Sequence, residues 1–373
     1  MRRTVVSAFA LLVGAGACSF EHGALQGDIS SDGSDSGALN APWLTGFLYR
    51  KPITITPPTL AASLTHFPVG ILTASDAQLA DSARDDGLDL VFASADGTTR
   101  LEHELVTFDG ATGALEAWVH LPELPNSTST IYMYYGAAQQ MPSPPSAVWS
   151  TLIAGVWHMG QGGSDSTAHA HTASAIAPES TPLLVAGIAG GARSFDGIDD
   201  ALTVPDPTDG SLDFDMGSFS FSLWVDELSS NSAFDVPFYK GGASTGDPGY
   251  CVLLGTANWN LKTHDGTMYR DPTAGTESLG HWVYLVGVVD RAASQMIAYR
   301  DGVAITTMPL GTYGSLNSTQ ALTFGAAATT AYHGLIDEVR VTSGIRSADW
   351  VVAEYANLKS PSFLAIGAQQ TRP

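Results

Sequence analysis

The sequence predicts an all-β protein made of two β-sandwich domains. Runs of roughly five to eight residues rich in Val, Ile, Thr and aromatic side chains recur between turns of Gly, Pro and Asp. The longer runs alternate. In "GSFSFSLWVDE", Phe219, Phe221, Leu223 and Val225 fall on one side, and Ser218, Ser220 and Ser222 on the other. A Pro/Ser break, "MPSPPSAVWS", divides the strand-rich chain into two blocks, expected to be separable cores.

The leader comes first. "MRRTVVSAFALLVGAGACSF" has Arg2 and Arg3, an apolar run from Val5 to Val13, then small residues up to Cys18. That is the order of a secretory signal over residues 1–17, too short to span a membrane. Its "AGAC" resembles a bacterial lipobox, although Ala15 stands where that pattern prefers Leu; the resemblance implies lipidation at Cys18. An ordinary signal peptide with an incidental cysteine is the plainer alternative. Ser19 after the cysteine points, by analogy with enteric bacteria, to the outer membrane or cell surface. Residues 18–42 carry the lipidated Cys and a Ser/Gly/Asp-rich flexible linker that lacks the apolar groups to fold. No later stretch holds 18 consecutive apolar residues, so membrane attachment is expected through the lipid alone.

The chain has 16 basic and 37 acidic residues; without Arg2 and Arg3 that becomes 14 against 37, a net charge of −23. Such a surface repels phosphate, which argues against nucleic acid as a partner. With Cys18 acylated, the other cysteine, Cys251, has no partner and reads as a small buried apolar residue.

Residues 43–148 contain "FLYRKPITIT", "DGLDLVFASADGT", "EAWVHLPEL" and "TIYMYYGAA", with Asp96-Gly97 at a hairpin turn and a short helix in "ASDAQLADSARDDG". These motifs resemble the bacterial domain of unknown function 2341 family, which implies an exported multidomain context and no particular chemistry. Residues 150–370 contain "GARSFDGIDDALTVPD", "GHWVYLVGVVDRAASQMIAYRDGVAI" and "HGLIDEVRVTSGIRSADWVVAEY". Together with "GSFSFSLWVDE", these resemble the laminin-G-like, concanavalin A-like domains of bacterial exported proteins and imply a jelly roll of two antiparallel sheets. "SADWVVAEYANL" reads as an amphipathic helix capped by Ser347.

Candidate chemistry is sparse. Glycosidases among concanavalin A-like relatives set carboxylates at alternate strand positions, on one face. In "GLIDEVRV", Asp337 and Glu338 are adjacent and are expected to point to opposite faces, which argues against that chemistry. "GASTG" around Ser244 fits G-x-S-x-G but leads into a strand, so it lacks the required turn into a helix. His169 and His171, with His158 upstream, read as a solvated loop without a further fixed ligand. "DGIDD" gathers Asp196, Asp199 and Asp200 around a glycine. In the resembled domains this loop and the last strand can hold a structural Ca²⁺, which implies Asp196, Asp200 and Asp337 as ligands, with Asp199 a weaker fourth. A simple Asp196-Gly197 turn is the alternative. "TANWNLKTHDGTMYRD" supplies Trp259, Asn258, His264, Asp265, Tyr269 and Arg270 for a glycan or peptide site, with aromatic rings as platforms.

The reading these features favour is a non-enzymatic cell-envelope lipoprotein that recognises glycan or a surface protein. A carbohydrate-active hydrolase and a passive structural component are the alternatives.

Overall fold

The structure is a computed structural model that describes residues 41–229, 234–255, 257–327 and 330–373. The leader, Cys18 and the tether up to residue 40 lie outside the described residues. Among the described residues the regular secondary structure is almost entirely strand, with two α-helices, Ala77–Ser82 and Ala348–Lys359.

The first sandwich packs two sheets face to face. One runs in the order Leu364–Ile366, Tyr49–Ile55, Ser129–Tyr135, Val91–Ala93, Arg100–Leu101; the other is Leu64–Thr73, Ala114–Leu124, His103–Asp109. Alternation brings Ile53 and Ile55 from one sheet against Phe67, Val69 and Ile71 from the other. The expected hairpin forms. Gly97 takes φ 74°, and Asp96 Oδ1 accepts from the amides of Thr98 and Thr99.

The second sandwich has two eight-stranded antiparallel sheets in which several strands far apart in sequence lie side by side, as in a jelly roll. One places Gly191–Asp196, His333–Ser343, Phe219–Glu227 and Val283–Asp290 side by side. The other runs from Tyr269–Arg270 through Asn258–His264, Gly249–Gly255 and Phe234–Lys240 to Leu322–Phe324. Phe219, Phe221, Leu223 and Val225 enter the core between them, where Phe221 stacks on Phe238 at 5.7 Å. Cys251 is fully buried with a free thiol that burial pushes up to about 12.

The two blocks are joined more closely than the Pro/Ser break suggests. Leu364–Ile366 and Gln370–Thr371, at the end of the second block, pair with Tyr49–Ile55 of the first sandwich. This covers an otherwise open sheet edge. The helix Ala348–Lys359 is a wedge between the sandwiches. Ser347 Oγ accepts from the Trp350 amide at 3.1 Å, as expected of a cap. The helix is not one-sided, however. Trp350, Ala353 and Ala356 join the first core, while Val351, Tyr355 and Leu358 lie on Trp224 and Tyr284 of the second sandwich. Asn357 both accepts from the Gly70 amide at 2.7 Å and donates to its carbonyl at 3.0 Å.

One irregularity decides the site. Ser222 pairs with Arg340, but Trp224 pairs with Asp337, so the strand His333–Ser343 carries one extra residue. Glu338 sits there at φ 47°, a left-handed conformation uncommon outside glycine.

Candidate functional site

The expected calcium set is not assembled. Asp196, Asp199 and Asp200 bring one oxygen each to within 4.8 Å of one another. Asp196 pairs with His333, and Asp337 lies four residues further along that strand, about 13 Å away at the usual rise. The Asp337 carboxylate is buried and already accepts from the amides of Ile188, Ala189 and Glu338. The loop also satisfies itself: Asp196 Oδ1 accepts from Ile198 and Asp199, and Asp200 Oδ2 from Asp196. Burial, with Asp196 close by, raises the Asp200 carboxyl above its ordinary range.

The expected glycan patch is also split. Trp259 is 1% exposed within the second core, so it is no platform. His264 is buried and accepts from the Gly266 amide, and Asp265 closes a turn by accepting from Thr267, Met268 and Gly314. The Arg270 guanidinium serves the carbonyls of Pro309 and Leu310. Asn258 and Tyr269 alone are well exposed. Strand alternation is the reason: a residue beside Asn258 must face the core. The loop with His169 and His171 does gain a third group, Asp209, whose carboxylate lies 3.5 Å from His169 Nδ1.

Two features at the seam between the sandwiches were not anticipated. The first is a cleft of about 660 Å³ between the strands Leu64–Thr73 and Ala114–Leu124, the segment 147–152 and the start of the wedge helix. Ser63, Thr65, Ser150 and Thr151 bring hydroxyls to it, Leu64 and Leu152 apolar surface. His66 has φ 56° and lies between the paired positions Thr65–Glu123 and Phe67–Leu121, so its ring leaves the ladder. It stacks on His120 at 5.2 Å, with 3.1 Å between His66 Nδ1 and His120 Nε2. Burial and His66 hold the His120 imidazole below its usual range. Arg346 lies 3.8 Å over the Trp350 ring at the cleft wall, and burial lowers its guanidinium to about 10.

The second is a buried polar cluster. The bulge at Glu338 turns both Asp337 and Glu338 to the seam side, while Ile336, Val339 and Val341 remain in the core. The expectation that these two acids point to opposite faces is thereby corrected. His158 bridges the sandwiches, its Nδ1 2.6 Å from Glu338 and its Nε2 3.3 Å from Glu104. Burial alone would lower that imidazole; Glu338 and Glu104 outweigh it and hold His158 well above its ordinary value, hence charged. Glu104 also accepts from Trp149 Nε1 and Ser166 Oγ. Arg340 joins Glu338 at 2.8 Å to Glu354 at 2.5 Å, and Tyr284 donates to Glu354. The Trp118 ring lies 4.4 Å from the Arg340 guanidinium and stacks on His158. Glu116 is different: it is 1% exposed, and neither oxygen makes a hydrogen bond of proper geometry. Burial, with Glu338 nearby, pushes its carboxyl up to about 8, although the indole of Trp118, itself unpartnered, lies close enough to draw it down slightly.

With this geometry in hand, the comparisons are informative about fold. Residues 195–352 match the family described as the concanavalin A-like lectin/glucanases superfamily, and residues 86–147 match the domain of unknown function 2341. The chain is thus an all-β protein of two sandwiches with a concanavalin A-like domain second. No curated protein matches it. Among solved structures, the binding domain of Paraclostridial mosquitocidal protein 1 shares 13% identity over 52% of this chain and 48% of that one, with a TM-score of 0.43. The botulinum neurotoxin serotype G binding domain gives 15%, 56%, 51% and 0.46. Domain 4 of an extracellular arabinanase from Geobacillus stearothermophilus, solved with arabinotriose, gives 20%, 55%, 98% and 0.43. The chain therefore spans about half the length of the toxin domains.

Proposed function

We propose that the protein is a non-catalytic glycan-binding protein of the bacterial cell envelope, and that the seam cleft is where the glycan sits. The cleft carries this reading. Its volume of about 660 Å³ falls in the range of small-molecule sites. Its wall combines hydroxyls, an imidazole pair and apolar side chains, a mixture suited to the hydroxyls and C–H faces of a sugar. His120, whose imidazole is held below its usual range, both donates to and accepts from hydroxyls. The strained His66 backbone supports a selected position for that ring. The lectin-superfamily match to the second sandwich agrees with the reading by analogy of fold only. Export and lipid anchoring through Cys18 complete the proposal on sequence grounds.

A glycan array on the chain without its leader tests it. A defined set of oligosaccharides is expected to bind, and Thr151→Trp, which fills the cleft, is expected to abolish that binding without lowering the melting temperature. His120→Ala should weaken binding about tenfold, the loss of roughly one hydrogen bond. Binding that survives Thr151→Trp, or an array without signal, contradicts the proposal; release of reducing sugar from a bound glycan would make the protein a hydrolase.

A further inference from the structure

Five carboxyls, Glu104, Glu116, Asp337, Glu338 and Glu354, are buried at the seam. Glu104 and Glu338 are met by His158, Glu354 by Arg340 and Tyr284, and Asp337 by three backbone amides. Glu116 is the exception among the five, since both its oxygens lack partners. One oxygen of Glu116, one nitrogen of His158 and one oxygen of Glu338 nevertheless all lie within 4.8 Å of one another.

We infer that Glu116, His158 and Glu338 form a site for one divalent transition-metal ion, Zn²⁺ or Mn²⁺, that pins the two sandwiches together. One imidazole nitrogen with two carboxylate oxygens is a mixed donor set that suits these ions. The ion would replace the proton shared by His158 Nδ1 and Glu338, which must part from 2.6 Å to about 3.3 Å for bonds near 2.1 Å. Glu116 would be its third protein ligand. His158 Nε2 would then donate to Glu104, fixing the ring as outer partners of metal-bound histidines do. Asp196, Asp199 and Asp200 play no part.

Two further observations fit. A cavity of about 360 Å³ opens beside Glu116, lined also by Thr73, Thr107, Ile188 and Gly190, and gives an ion and its water a route in. Gly190, at φ 62°, leaves room for the carboxylate: a Cβ there would lie 1.9 Å from Glu116 Oε2. The backbone is shaped around Glu116 where an ordinary side chain would displace it.

The test uses the full chain without its leader, in a His169→Ala/His171→Ala background so that the exposed imidazole pair does not contribute. After removal of metal at neutral pH, titration with Zn²⁺ or Mn²⁺ alone is expected to show one ion per chain and a rise in melting temperature of several degrees. Glu116→Gln keeps the shape and removes the charge, and is expected to weaken binding at least about 100-fold and to abolish the thermal response. Gly190→Ala, which keeps every ligand residue but displaces the Glu116 carboxylate and strains a backbone at φ 62°, should weaken ion binding less than Glu116→Gln does. A melting temperature unmoved by either ion, or binding unchanged in Glu116→Gln, overturns the inference.

Discussion

Asp196, Asp199 and Asp200 come from one five-residue turn, and the carboxylates of Asp196 and Asp200 are met by amides of the same turn. Glu104, Glu338 and Glu354 come from three separate segments and are met by His158, Arg340, Trp149 and Tyr284, while Glu116 beside them has no hydrogen-bond partner. Asp196 and Asp199 stay exposed, where neighbouring charges are screened, and Asp200 alone of the three is buried. The seam group is buried throughout, so each carboxyl must find a cation, a donor or a proton. Proximity in sequence drew the eye to the turn; the seam is the place where charge is expensive.

That contrast can be broken at its strong end first. Arg340→Met removes the guanidinium that joins Glu338 to Glu354 and leaves both buried. Urea unfolding should show a loss of about 3–5 kcal/mol. A loss below about 1 kcal/mol would mean that the seam is hydrated and the contrast false.

A second test uses another buried acid. Glu227, at the end of the strand Phe219–Glu227, is pushed up to about 9 by burial, with Asp235 and Glu277 adding to it. Its folded value lies above the unfolded one, near 4.5, so its proton stabilises the fold below that point. That stability is lost progressively as pH rises toward 9, by up to about 1.4 kcal/mol per pH unit. Glu227→Gln should flatten this slope in melts between pH 5 and 9. An unchanged slope assigns the pH dependence elsewhere.

Asn357→Ala removes two hydrogen bonds between the wedge helix and Gly70 and should cost about 1–3 kcal/mol. Asp199→Asn, on the exposed turn, should change stability by less than about 0.5 kcal/mol, and a calcium-selective chelator should leave the melt in place. A fall of several degrees with that chelator would return the turn to the role of a calcium site.

The strands, the Asp96-Gly97 hairpin and the Ser347 cap were legible in the sequence, because each is set by residues within a few positions of one another; the two sheets of the jelly roll, which pair distant strands, were expected only from the family resemblance. The seam was not. The bulge that turns Glu338 beside Asp337 breaks the alternation rule at one residue, and no local signal marks it. Trp259 illustrates the opposite failure: its polar neighbours suggested a surface platform, but period-two alternation sends it to the core. The wedge helix resembled an ordinary amphipathic helix, because Val351 and Tyr355 read as apolar whichever sandwich they face. His66 and His120 lie 54 residues apart and meet only when their strands pair.

The central claim is that the two sandwiches are one unit held by the seam. Amide hydrogen exchange on Arg340→Lys, which keeps the charge but loses the fork joining Glu338 and Glu354, tests it most directly. Protection should fall in Ala114–Leu124 of the first sandwich and in Phe219–Glu227 of the second, by similar factors. A loss confined to the second sandwich, with the first as protected as before, would contradict the account.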